Sequence, residues 1–203
     1  MSVRWKIAGA LTLFSLLAVA VSLRSSWTSS ETAFLRGLEA LDHGDWRTVS
    51  QQIEFLRQRP RDADRLRILR GGLLLRTGDY TSATRELSRV QPTSTFREQA
   101  ALLICEALYF SKRWSDAEAL ALEVLSKNPD QVDAHRWLGA IYYDLGAMQE
   151  AENHLTRLAQ LAPLDYSPLR MLGLIHKDFE RYKEAITDYQ KALVRHPPES
   201  VRV

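Results

Sequence analysis

A period of 34 residues constrains this chain more than any other feature. Gly139 and Gly173 stand 34 apart, as do Ala151 and Ala185, Leu138 and Leu172, and Pro163 and Pro197. Stepping back from Val132 gives starts at Ser30, Asp64 and Glu98, and stepping forward gives Tyr166, so five units fill residues 30–199 without a gap. Position 8 of the units reads Gly37, Gly71, Cys105, Gly139, Gly173, and position 15 reads Gly44, Gly78, Lys112, Gly146, Glu180. Position 17 is always large (Trp46, Tyr80, Trp114, Met148, Tyr182) and position 20 always smaller (Val49, Ala83, Ala117, Ala151, Ala185). Position 32 is Pro129, Pro163 and Pro197 in the last three units. A fixed period of this length marks stacked supersecondary units that bury their apolar faces on one another.

Within a unit the spacing reads as two helices. In the fourth, Leu138, Gly139 and Tyr142 share one face of a first helix, and Ala151, Leu155 and Leu158 share one face of a second. Gly139 and Ala151 are small where the helices would cross, and filling either site costs about 1–3 kcal/mol by overpacking. Gly146 suits a left-handed helix cap, the large residue at position 17 wedges beside the turn, and Pro163 ends the second helix. The second unit departs from this grammar. Arg67 and Arg70 replace apolar residues, and Gly71-Gly72 loosens the helix by about 1 kcal/mol per glycine relative to alanine. A rotated or distorted first helix is expected there. The first unit, with Val49 for Ala and Arg61 for Pro, is also less regular.

Five units in one register, with small–small–aromatic spacing, resemble the tetratricopeptide repeat. The resemblance implies an all-α fold: a right-handed superhelical array of helix–turn–helix repeats, in units 30–63, 64–97, 98–131, 132–165 and 166–199. It also implies that positions 2, 5, 6, 9, 12 and 13 line a partner-binding groove. On those positions stand Phe34, Leu69, Leu103, Tyr109, Phe110, Arg136, Trp137, Tyr143, Arg170 and Met171. Family members that hold chaperone C-termini use a Lys/Asn/Arg carboxylate clamp. Here the matching residues of the first three units are Phe34, Leu38, Leu69, Gln99 and Leu103, which is no clamp. An apolar and aromatic groove suits a helix or extended segment with hydrophobic anchors.

Ahead of the repeats, Ile7 to Leu23 is an uncharged apolar run. As a helix it extends about 26 Å, slightly less than a hydrocarbon core of roughly 30 Å. Arg4 and Lys6 precede it, and Trp5 and Trp27 flank it as interfacial anchors do. This predicts an anchor with a cytoplasmic N-terminus and an exported, periplasmic or extracytoplasmic repeat domain. Ala18-Val19-Ala20 also fits signal-peptidase cleavage, which would give a secreted protein. Residues 1–24 are thus anchor or signal, 25–29 a Ser-rich linker, and 200–203 a tail.

Outside residues 1–29 the chain carries 24 basic and 25 acidic residues, so no nucleic-acid partner is implied. Residues 57–97 hold ten arginines against four acids, a stretch read either as a basic patch for anionic headgroups or as a solvated face of ion pairs. The lone Cys105 permits no intrachain disulfide and reads as a buried thiol. Five scattered histidines lack ligand spacing. Glu150 and His154, four apart, read as a surface pair, and His176 at position 11 reads as a packing residue. No metal, cofactor or catalytic residue is expected. The last unit offers Ala185, Ile186, Tyr189, Ala192 and Leu193 on one face, which predicts self-association or a covering partner. The resulting reading is a non-catalytic, membrane-tethered scaffold for protein or peptide partners in the cell envelope. The alternatives are a regulatory or assembly subunit of an envelope enzyme or secretion complex, and a secreted binder.

Overall fold

The computed structural model describes residues 29–195, all of whose extended elements are helical. Helix α1 covers 29–43 and α2 Trp46–Arg57, followed by a 3-10 turn at Pro60–Asp62. Then come α3 (Ala63–Arg76), α4 (Tyr80–Leu87), α5 (Arg97–Phe110) and α6 (Trp114–Lys127). The last four are α7 (Val132–Asp144), α8 (Met148–Leu161), α9 (Ser167–Asp178) and α10 (Tyr182–Arg195). From α2 onward each helix packs on the next, and α3 also touches α5, as α5 touches α7. First helices therefore lie side by side, which is the layout of a stacked repeat. The apolar run Ile7–Leu23 lies outside the described residues; among those described, no helix is long and apolar enough to cross a membrane.

The turn inside every unit is built the same way. All five residues at position 15 have positive φ: Gly44 70°, Gly78 81°, Lys112 58°, Gly146 76° and Glu180 59°. In each turn the position-15 amide donates three residues back and the next amide donates five back. Gly146 N thus reaches Tyr143 O at 3.0 Å, and Ala147 N reaches Tyr142 O at 2.8 Å. The same two bonds recur at Lys112 and Arg113, and at Glu180 and Arg181. This paired 6→1 and 5→2 arrangement satisfies the last carbonyls of the first helix. The residue at position 17 then opens each second helix, from Trp46 to Tyr182. Asp45 and Asp79 cap α2 and α4 by accepting from Thr48 N and Ser82 N. Tyr80, Trp114 and Met148 pack beside the core, whereas Trp46 and Tyr182 stay exposed.

The helices of one unit meet through a small residue at position 8. A Cβ on Gly139 would stand 2.8 Å from Leu155 Cδ2, and one on Gly173 would stand 2.7 Å from the Tyr189 ring. A Cβ on Gly71 would fall 2.4 Å from Leu87. In each case the filler comes from position 24. The third unit reverses the volumes: Cys105 occupies position 8 and Ala121 position 24, both fully buried in one cluster with Leu138. Burial pushes the Cys105 thiol up to about 12, and its sulfur reaches Ala117 O at 3.6 Å. It is a packing residue.

The second unit differs from expectation in its second helix rather than its first. Helix α3 runs unbroken through Gly71 and Gly72, both buried. They give close approach to Leu87 and Leu41, and that packing outweighs the low helix propensity. Arg67 and Arg70 are neutralised by Asp64 and Glu86. Helix α4 is the short one, with 8 residues. It stops at Ser88, and residues 88–96 turn back so that Val90 is buried and Phe96 meets the Phe34 ring edge-on at 5.2 Å. Pro92 denies the preceding residues a helical continuation.

Two of the five turns hold a side-chain-bearing residue where the backbone favours glycine. Left-handed φ costs a non-glycine residue about 1–2 kcal/mol, part of which glycine returns through unfolded-state entropy. Lys112→Gly and Glu180→Gly are each expected to stabilise by about 1 kcal/mol. Gly146→Ala, with nothing within 4 Å of the added methyl, should lose a similar amount through backbone strain alone. Urea unfolding midpoints of the three variants check this; equal midpoints for all three would remove strain at position 15 from the account.

Candidate functional site

The side-by-side first helices create one continuous face, and the aromatic residues on it converge. Phe110, the last residue of α5, is 49% exposed and stacks on Tyr80 of α4, with ring centroids 5.6 Å apart. Tyr109 meets Phe110 at 5.3 Å and Trp137 of α7 at 5.5 Å. Phe110 and Trp137 lie edge-to-face at 6.2 Å. Four rings from three helices thus form a shelf, held by offset and edge contacts of the favourable kind. Tyr80 belongs to it because position 17 opens α4 next to the end of α5; its sequence position marks it only as a packing residue.

Toward the N-terminus the same face opens into a cavity of about 230 Å³. Leu38 and Leu41 of α1, Ile68 and Gly72 of α3, and Leu103 of α5 give it apolar walls, with Arg76 and Gln99 also on its lining. Gly72 keeps it open: a methyl there would meet Leu41 Cδ1 at 2.8 Å. Such a space accepts one aliphatic or aromatic side chain.

Several charged groups on this face already have partners. Arg76 Nη1 of α3 donates to Glu106 of α5 at 2.8 Å, and the Tyr109 hydroxyl donates to Asp144 of α7 at 2.6 Å. Arg136 of α7 bridges Asp165 at 2.6 Å and Asp133 at 3.3 Å. Burial raises the Glu106 carboxyl above its ordinary range despite Arg76. Burial also pushes the Tyr109 hydroxyl up to about 12, with Asp144 adding to it. Asp165 sits below the carboxylate range: burial pulls it upward, but Arg136 and Ser167 more than offset that pull. The first two links tie successive units together, and the Arg136 pairs lie within the fourth unit.

The ten residues assigned to the groove separate into three groups. Tyr109, Phe110, Trp137 and Leu103 belong to the shelf and the cavity. Phe34 and Leu69 do not: they are 5% and 0% exposed. Phe34 is sealed by Phe96, and Leu69 fills the space at Gly37, so both are core between repeats. Tyr143 and Met171 pack at the edge of the second core, Arg136 is tied to Asp165, and Arg170 is exposed.

The histidines also differ from the sequence reading. His154 does not serve as a surface partner of Glu150; its Nδ1 faces Nδ1 of His135 at 2.9 Å, with Tyr142 stacked on it at 5.6 Å. Helical i,i+4 spacing could not reveal a partner 19 residues away. His176 is buried, as a packing residue should be, and has carboxylates on both sides: Asp188 Oδ2 at 2.6 Å from Nδ1 and Glu152 Oε1 at 3.2 Å from Nε2. Arg181 joins Glu152 at 2.9 Å. Among the described residues no group of three or more His, Cys, Asp or Glu side chains could hold a metal ion.

Residues 102–166 match a tetratricopeptide-repeat family profile, and residues 171–193 match a second one. A comparison with curated protein sequences finds no match. Among solved structures, MamA 41-end from Desulfovibrio magneticus RS-1 superposes with a TM-score of 0.65 at 16% identity, covering 86% of this chain and 97% of that one. A crystal structure of MamA gives 0.63 at 17% identity, covering 78% and 93%. MamA AMB-1 gives 0.60 at 21% identity, covering 80% and 96%. At these identities the likeness is one of fold. With the 34-residue register and the five repeated turns, the matched segments show that the chain carries tetratricopeptide repeats.

Proposed function

We propose that the chain is a membrane-tethered scaffold in the cell envelope whose first-helix face holds an apolar segment of a partner protein. The observation that carries this reading is the shelf of Tyr80, Tyr109, Phe110 and Trp137, half-exposed at Phe110 while the neighbouring charges are paired off. Aromatic side chains supply large contact area at small entropic cost and dominate interface energetics. The family's ordinary use as a protein-interaction platform points the same way. The tether rests on Ile7–Leu23 and its basic and tryptophan flanks.

A photo-reactive residue at Phe110 is expected to label a partner in native membranes, and Phe110→Ala to weaken that partner's binding by about 1–3 kcal/mol. Leu122 on α6, 43% exposed and away from the shelf, is the control position. Equal labelling from both positions would remove the shelf from the proposal.

For the tether, a reporter fused after Val203 should be active only outside the cytoplasm, and sequencing of the mature protein should begin at Met1 or Ser2. A mature start just after Ala20 selects the secreted form. A cytoplasmic reporter ends the envelope reading.

The proposal extends to α10, where Ala185 and Ala192 of the expected open face are buried and Tyr189 packs at Gly173, while Ile186 and Leu193, with Tyr182 and Val194, are more than half exposed. In α6 and α8 the position of Ile186 is glutamate, and each glutamate reaches the next unit: Glu118 to Tyr142 and Glu152 to His176. In α10 that polar link is replaced by an apolar side chain, which suits a second copy of the chain. Sedimentation should find a dimer that Ile186→Glu with Leu193→Glu converts to monomer. A wild-type protein that stays monomeric up to about 100 μM, where even a weak interface would assemble, would dismiss the second copy.

A further inference from the structure

The hairpin that carries Trp137 is fastened by two histidines placed ring to ring. His135, near the start of α7, is 8% exposed, and His154 of α8 is half-buried. Their Nδ1 atoms are 2.9 Å apart, and the ring centroids 5.2 Å. The difference is about the sum of the two centroid-to-nitrogen distances, so both nitrogens lie near the line joining the rings. That line has room for one hydrogen. His135 Nε2 stands 3.0 Å from the carbonyl oxygen of Pro129, which can only accept, so Nε2 bears a proton. In the neutral pair His135 therefore accepts at Nδ1, and His154 donates from its own.

The arrangement tolerates one added proton and refuses a second. The first can sit on His154 Nε2 with the inter-ring bond unchanged. Equally, it can make His135 the donor while His154 keeps its hydrogen on Nε2. The second places an N–H on both facing nitrogens, with two positive rings in contact. The surrounding groups offer little relief. Glu118 of α6 accepts from the Tyr142 hydroxyl at 2.7 Å, and Asp130 of the α6–α7 loop is joined to Arg157 of α8. Asp133 and Arg136 of α7 pair with each other, and Glu150 lies one turn before His154 on α8. The contrast with His176 is direct, since the carboxylates of Asp188 and Glu152 lie on either side of that ring.

We propose that His135 and His154 form a proton switch: with up to one added proton they lock α8 onto α7, and with two they release it, while His176 keeps α8, α9 and α10 joined. The release stands on the histidine geometry alone. Its effect on partner binding rests on the shelf reading, because Trp137 follows His135 by two residues on α7. Burial, reinforced by the charge of His135, holds the His154 ring below the ordinary histidine range. A depressed histidine stabilises the fold fully above its unfolded value of about 6.5, and that contribution is lost as the pH falls through the folded value.

The test uses the full chain in detergent micelles. Nitrogen NMR of the imidazoles at pH 7.5 should find the proton of His135 on Nε2 and that of His154 on Nδ1. Hydrogen exchange, corrected for intrinsic rate, should show a loss of α8 protection between pH 7.5 and 5, with α10 unchanged. His154→Phe should flatten the pH dependence in α8. His135→Gln, which can still donate to Pro129, should flatten it as well and serves if the phenylalanine variant does not fold. Invariant α8 protection in the wild type, or pH dependence persisting in both variants, would overturn the switch. Loss of the switch with partner binding at Phe110 intact would leave the shelf reading standing, and the reverse result would leave the switch standing.

Discussion

The distance at which the two helices of a unit cross is fixed by one pair of positions, and the rest of the array follows from it. At position 8 a glycine admits a leucine or tyrosine from position 24, as Gly139 admits Leu155 and Gly173 admits Tyr189. Where position 8 carries a side chain, at Cys105, position 24 shrinks to Ala121. In the last four units a larger residue at one of the two positions faces a small one at the other. Close-packed interiors impose this, because an added methylene has no free space to occupy. The first unit solves the same problem differently, filling the space at Gly37 with Leu69 from the neighbouring repeat. That substitution is why a residue at a groove position ends up as core.

A constant crossing distance needs a constant turn, and the left-handed residue at position 15 supplies it. Lys112 and Glu180 adopt the conformation without being glycine, so the hydrogen-bonded turn and the packing of α6 and α10 outweigh the local strain. With turn and crossing fixed, the first helices come to rest beside one another. Only then do Tyr80, Tyr109, Phe110 and Trp137, drawn from α4, α5 and α7, become neighbours. The shelf is a consequence of stacking, since no single unit contains it.

This dependence explains what could be read from the chain and what could not. The turns, the small crossing positions and the residue that opens each second helix repeat every 34 residues, so Gly146, Ala151 and Trp114 disclose their roles by register alone. Tyr109 and Trp137 were legible as surface candidates for the same reason. The register says nothing about occupancy by another unit, which is how Phe34 and Leu69 were assigned to the groove while Phe96 and Gly37 claimed them. It is equally silent on partners that cross between helices at odd spacings, such as His135 with His154, or Arg76 with Glu106. In the second unit two glycines signalled a weak helix α3, but their cost is local whereas the packing they allow is tertiary, and the tertiary contribution wins.

The arginine-rich stretch completes the argument about specificity. Its positive charge is met in part, six of the ten arginines pairing with five carboxylates. Arg57 pairs with Glu54, Arg65 with Asp62, Arg67 with Asp64, and Arg70 and Arg89 share Glu86, while Arg76 is held by Glu106. Arg59 lies 3.6 Å over the Phe55 ring. The more exposed of these pairs, such as Arg57 with Glu54, add about 0–1 kcal/mol each to stability, and together the pairs weaken the field that a run of ten arginines would otherwise project. Beside the shelf, Arg76 is held by Glu106 and Asp144 accepts from Tyr109. On the reading proposed for the shelf, recognition depends on shape and apolar contact, and salt should alter it far less than removal of a single ring.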